Sequence, residues 1–306
     1  MAARGERPAT DGEEPDRDGH RATPSGPGPS VTGPSADGAS ATTPSVTIPS
    51  APGPSVTSQS VTGPSADGAS GPAPHRPAGP EADAVRRSYD TVAAEYAERI
   101  GDELAGKPLD RALLTALLEQ LTDRRTDPPA LVADLGCGPG HVTGWLAAHG
   151  AHAHGTHAHG APGVRAVGID LSPAMVALAR QQHPAAEFRE GDLRHLPAAD
   201  GEFGGAVALY SLIHLPPAEH RAVLAEIHRT LRPGAPLLLA FHRGTEARRL
   251  TDWWGHPVDV TFHFLDPDTV TADLTAAGFT LRARLDRAPY PHEAETDRSY
   301  LLAVRS

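Results

Sequence analysis

Apolar residues are distributed along this chain in two regimes. From about residue 81 they recur at helix or strand spacing; before it they stand singly among Pro, Gly, Ser, Ala and Thr. In residues 86–100, Tyr89, Val92, Ala93, Tyr96 and Ile100 share helical spacing, which predicts a short amphipathic helix. A second helix is expected after Pro108, with Leu109, Ala112, Leu113, Ala116, Leu117 and Leu121 as its apolar stripe. An apolar run from Leu131 then breaks into a glycine turn, and residues 139–148 resume as a helix.

Strands and helices alternate beyond that point. Strands are expected over 164–169, 187–189, 205–210 and 235–241, each closing near a turn. Ser172-Pro173 reads as an N-cap followed by Pro at the first helical position, and residues 217–231 as a further helix. Asp266-Pro267 caps a last helix that stops at Gly278. The runs 279–285 and 299–304 have no helix between them and predict an antiparallel pair closing the sheet. Such alternation specifies a mainly parallel sheet with helices on both faces.

Composition sharpens the boundary. The chain has 306 residues with 31 Pro and 31 Gly, and the excess of both sits in residues 1–80, which cannot bury enough apolar area to offset chain entropy. That stretch is expected to be a disordered tail, with 81–306 as one domain. The string SVTGPSADGAS occurs at residues 30–40 and again at 60–70, without the apolar positions a solenoid needs; a flexible spacer is the reading. No apolar leader and no membrane-length run is visible, so a cytoplasmic protein without a membrane partner is expected. Net charge is -11 with no basic run, which argues against nucleic acid as a partner. Cys137 is the sole cysteine and reads as a small buried side chain; Lys107 is the sole lysine, which we attribute to codon composition.

The chemistry centres on Asp134-Leu135-Gly136-Cys137-Gly138-Pro139-Gly140. Glycines admit backbone close to a ligand, and acids at the ends of adjacent parallel strands face the crevice where α/β sheets bind ligands. Asp170 closes the next strand in VGIDLSPAM, Asp192 follows in EGDLRHLP, and LRPGAPLLL comes later. In that order these motifs resemble the class I S-adenosylmethionine-dependent methyltransferases over residues 85–306. The resemblance implies a Rossmann-like α/β fold with a seven-stranded, mostly parallel sheet ending in an antiparallel strand. It also implies S-adenosylmethionine as cofactor and a small-molecule methyl acceptor as partner. It assigns the ribose to Asp170, the adenine amino group to Asp192 with Leu193 beside it, and the ring faces to Leu171 and Met175. Gly136 and Gly138 would admit the methionine half, Asp134 would help to hold its ammonium, Tyr89 would cover the cofactor and Tyr210 would lie beside the methyl donor.

Asp170 lies 30 positions beyond Gly140, because residues 149–163 form a low-complexity insertion containing five histidines. A surface loop is expected there; with no carboxylate or thiolate in it, no physiological metal site is assigned. A nicotinamide-dependent oxidoreductase is the rival with a similar turn, but its third glycine comes one residue later, where this chain has His141. A catalytically silent cofactor-binding protein is the second alternative. For in-line methyl transfer the chain must align the acceptor and exclude water, and a general base is optional. His214, just past the fourth strand, is the candidate base, against a plain packing role. Acceptor recognition is expected within 242–266, which holds Trp253 and Trp254 with His256, Phe262, His263 and Phe264 and suits a planar or apolar molecule.

Overall fold

The computed structural model describes residues 79–122, 130–150 and 163–306. The tail up to residue 78 and most of the histidine-rich insertion lie outside the described residues. Two helices come first, α1 (Pro80–Ile100) and α2 (Pro108–Thr122). Then follow β1 (Leu131–Leu135), α3 (His141–Gly150), β2 (Arg165–Asp170), α4 (Pro173–Gln182), β3 (Glu187–Glu190) and β4 (Gly205–Leu209). After them come α5 (His220–Thr230), β5 (Pro236–His242), β6 (Ala247–Trp253), β7 (His256–His263), α6 (Pro267–Ala276), β8 (Phe279–Arg287) and β9 (Arg298–Arg305).

The main sheet has seven strands in the order β3-β2-β1-β4-β5-β9-β8. Strands β1 to β5 pair in parallel, and β9 runs antiparallel between β5 and β8. Strand order reverses beside β1, between β2 and β4, which opens a crevice at the carboxyl ends of these strands. All five residues of β1 are buried, as expected for a central strand covered on both faces. Leu131, Ala133 and Leu135 pack with Val223, Leu224 and Ile227 of α5 and Leu274 of α6. Val132, on the other face, packs with Leu114 and Leu117 of α2 and Leu146 of α3.

Two expectations need correcting. The buried stripe of α2 is Leu114, Leu117, Leu118 and Leu121, while Leu109 is exposed; leucines on both sides of this helix left its rotation ambiguous in the pattern. Residues 242–266 are not a plain connection either. They contain the hairpin β6–β7, a separate two-stranded antiparallel sheet. A bulge between Leu250 and Asp252 places the buried residues of β6, Leu250 and Trp253, three apart and hides the alternation that would have marked a strand. The cap at Ser172 is as expected, its hydroxyl accepting from Met175 N–H at 3.1 Å.

Candidate active site

One wall of the crevice is backbone. β1 ends in a turn whose Gly136 and Gly138 have φ of 80° and 51°, a region that side chains other than Gly rarely tolerate. The N–H groups of Gly136 and Cys137 both donate to Ile169 O, at 2.8 and 3.1 Å, which fixes the turn to the end of β2. A Cβ on Gly136 would lie 2.4 Å from Ser211 Cβ, whereas one on Gly138 would meet nothing nearer than Tyr96 at 3.9 Å. The turn is thus braced at its first glycine and open to the crevice at its second.

Three carboxylates gather around it. Asp134 is 2% exposed and accepts from Thr143 Oγ1 at 2.7 Å; burial pushes its pKa up to about 6 although that hydrogen bond opposes the shift. Asp170 accepts Gly138 N–H on Oδ2 and Ser172 N–H on Oδ1, both at 2.8 Å. Burial raises its pKa too, and these two N–H groups oppose the rise. Each Asp170 oxygen keeps a second lone pair for a ligand. Asp192, just beyond β3, accepts Arg194 N–H at 3.0 Å and pairs with its guanidinium at 3.3 Å.

The facing wall is side chain. Tyr89 of α1 meets Tyr96, His214 and Trp253 edge-on, with ring centroids 5.7, 5.2 and 5.5 Å away. Its hydroxyl lies 2.7 Å from His214 Nε2. His214 is deeply buried, and burial lowers its pKa to about 4 against the opposing pull of the Thr261 backbone. A neutral ring accepting from the phenol satisfies this pair, and Nδ1 is buried without a hydrogen-bond partner among the described residues. The hairpin docks on α1 through Asp259 N–H to Ser88 Oγ at 2.8 Å and His256 to Glu95 at 3.1 Å. Asp90 ties α1 to the start of α4, accepting from Ser172 Oγ at 2.6 Å.

Between the walls lies a cavity of about 880 Å³. Tyr89, Asp134, Gly136, Gly138, Asp170, Leu171, Asp192, Leu193, Tyr210 and His214 all line it. Met175 does not: it is a fully buried residue of α4, because its place in the first turn after the Ser172 cap directs it into the core. Of the aromatic residues expected to meet the acceptor, Trp253, Trp254 and Phe262 line the cavity, while His256, His263 and Phe264 do not. Cys137 is buried, and burial pushes its thiol pKa well up, which leaves it inert.

A charged end to this cavity was not expected from the motifs. Lys107, 7% exposed, holds Glu103 at 2.6 Å and Glu293 at 3.7 Å, and its ammonium stands 5.2 Å from the Tyr210 ring centre. Burial pushes the Glu103 carboxyl up, but Lys107 and a hydrogen bond from His141 overcome it and hold the pKa at about 2. His242 ends β5 with Nδ1 2.8 Å from Thr296 Oγ1, its pKa lowered to about 3 by burial and by Arg298 and Lys107 nearby. A solitary lysine at a helix start was the one signal that could have found this cluster. Tyr210, with φ of 59°, and Trp254, with φ of 57°, are strained by roughly 1–2 kcal/mol each.

S-adenosylmethionine fits these residues. The lining carries eight carboxylates against five Lys and Arg side chains, a balance suited to a ligand with net positive charge, and the cradle at Gly138 would be filled by any Cβ. Among the described residues no group of three His, Cys, Asp or Glu side chains is arranged to hold a metal ion.

Strand order defines the fold: this is the Rossmann-like arrangement of the methyltransferases. Residues 132–234 match the family described as a methyltransferase domain. It is 38% identical over 120 residues to a trans-aconitate 2-methyltransferase of Azoarcus sp., covering 38% of this chain and 41% of that protein. It is 32% identical over 167 residues to a demethylmenaquinone methyltransferase of Beutenbergia cavernae, covering 55% and 58%. The chain therefore spans less than two thirds of either relative. The structure of magnesium protoporphyrin IX methyltransferase from Synechocystis with bound S-adenosylmethionine superposes with a TM-score of 0.53 at 20% identity, covering 76% of this chain and 100% of that one; at that identity the likeness is one of fold.

Proposed function

We propose that this chain transfers a methyl group from S-adenosylmethionine to a small-molecule acceptor. The observation that carries the reading is the convergence of Asp134, Asp170 and Asp192, from adjacent strands, on one cavity beside an open glycine turn. Both relatives named above methylate small molecules by their names, which supports the acceptor class. When bound, the cofactor supplies a methyl carbon activated by attachment to a sulfonium.

The chain's own residues do the rest. Asp170 offers its spare lone pairs to a diol, and Asp192 offers the oxygen not engaged by Arg194 to an exocyclic amine. Asp134 and the turn backbone face the amino-acid end. Tyr89, Tyr96 and the hairpin exclude water and hold the acceptor in line, the main demand of a displacement at carbon. His214 is a poor free base: Nε2 is engaged by Tyr89 and Nδ1 is buried. We therefore assign it to positioning Tyr89, with any proton of the acceptor leaving by another route.

Among the described residues no helix is long and apolar enough to cross a membrane, and we place the reaction in the cytoplasm. Titration calorimetry with S-adenosylhomocysteine and with NADH tests the reading. Binding of the former alone is expected, and binding of NADH alone would sink it. Binding of S-adenosylhomocysteine with no consumption of S-adenosylmethionine on any acceptor supplied would favour the silent binder.

A further inference from the structure

Among the described residues only Tyr210 and Trp254 combine a side chain with a left-handed backbone, and both line the cavity. Trp254 and Gly255 are the central pair of the turn between Trp253 of β6 and His256 of β7, with φ of 57° and 85°. A two-residue hairpin turn with both φ positive favours Asn, Asp or Gly at its first position. Tryptophan is a poor choice there, and the turn has its own support: Asp252 Oδ1 accepts Gly255 N–H at 3.1 Å. A broken local rule on a cavity wall points to function.

The ring geometry narrows what that function recognises. Trp254 lies 5.2 Å from Trp253 and 6.2 Å from Tyr96, and Trp253 lies 5.7 Å from Tyr96, centre to centre. Rings at such separations touch one another, so nothing fits between them. The cluster is a wall and not a cage built around a cation. The Arg99 guanidinium occupies space over the Trp254 ring, 4.8 Å from its centre, and braces the indole from α1. What reaches this wall comes from the cavity side and meets a fixed, extended π surface.

We infer that the methyl acceptor is a planar aromatic compound seated against Trp254, which is a specificity-determining residue at the hairpin tip. This rests on the methyl-transfer reading of the cavity. Its test uses 2-naphthol and its saturated counterpart decahydro-2-naphthol as probes, titrated into the full chain with and without saturating S-adenosylhomocysteine. The native protein should bind 2-naphthol at least tenfold more tightly than the saturated probe. Trp254→Asn, which gives the turn the residue it prefers, should keep S-adenosylhomocysteine affinity within twofold yet lose at least tenfold in 2-naphthol affinity. Trp254→Phe should recover part of that loss. No saturable 2-naphthol binding, equal binding of the two probes, or unchanged 2-naphthol affinity in Trp254→Asn would each overturn the assignment. Selective 2-naphthol binding by a protein that ignores S-adenosylhomocysteine would overturn the methyl-transfer reading and leave the aromatic site standing.

Discussion

The two walls of the cavity are made in different ways. On the sheet side the holding bonds are short in sequence: Thr143 to Asp134 spans 9 residues and Gly138 to Asp170 spans 32. On the cap side Tyr89 reaches His214 across 125 residues, His256 reaches Glu95 across 161 and Asp259 reaches Ser88 across 171. The first wall is a local construction that any loss of backbone freedom should wreck; the second is an assembly of side chains that can be dismantled one contact at a time. Gly136→Ala tests this most severely. Its Cβ would stand 2.4 Å from Ser211 Cβ on a backbone at φ 80°, costing roughly 1–2 kcal/mol for the left-handed residue and a further 1–3 for overpacking. Denaturant melts should show about 2–5 kcal/mol of lost stability, with S-adenosylhomocysteine binding abolished in calorimetry. A variant that binds normally would show that the sheet wall is no more fragile than the cap.

The walls also answer pH in opposite directions. His214, on the cap, has its pKa lowered from 6.5 to about 4 by burial. A depressed base contributes stability that is present above pH 6.5 and lost as pH falls through 4, on the order of 3 kcal/mol for this shift. His242 shifts the same way, to about 3. Thermal melts between pH 7 and pH 4 should therefore fall steeply, and His214→Gln should flatten part of that slope. Asp134, on the sheet wall, has its pKa raised from 3.8 to about 6 by burial. A raised acid contributes stability that is present below pH 3.8 and lost as pH rises through 6. Asp134→Asn keeps an acceptor for Thr143 Oγ1 and removes the buried charge, so it should gain about 1–2 kcal/mol at pH 8 and little at pH 4. Its affinity for S-adenosylhomocysteine should drop at the same time. Equal effects at both pH values would show that Asp134 is not the strained group.

The contrast explains how much the chain disclosed before folding. The order β1 to β5 and the three acids were legible because each strand ends in its own turn residues and each acid sits within a contiguous motif. The glycine turn betrays its shape at Gly136 and Gly138 regardless of the rest of the fold. Met175 was misplaced because helical phase decides burial, and the motif alone does not set it. The hairpin was missed because a bulge broke its period, and its strongest clue, Trp254-Gly255, resembles no standard turn dipeptide. Lys107 was passed over because, although Glu103 stands four residues before it, Glu293 reaches it only when the segment before β9 is brought against the start of α2.

The gentlest way to separate the walls is Tyr89→Phe. The ring is retained, so the edge-on contacts with Tyr96 and Trp253 at 5.7 and 5.5 Å should survive, and the sheet wall is untouched. What disappears is the hydroxyl that occupies His214 Nε2 at 2.7 Å. The imidazole then has both nitrogens buried and unpaired, a loss of about 1 kcal/mol for the bond with some added desolvation. In a domain of this size that is a Tm lower by about 2–4 °C. The acid limb of the pH–stability curve should shift as well, because the neutral form of His214 loses the donor that favoured it, and its pKa moves back toward 6.5. Nitrogen chemical shifts of the His214 ring read that movement directly. An unchanged Tm together with an unchanged His214 titration would mean that Tyr89 and His214 are neighbours without coupling, and that α1 is held over the cavity by Asp90, Ser88 and Glu95 alone.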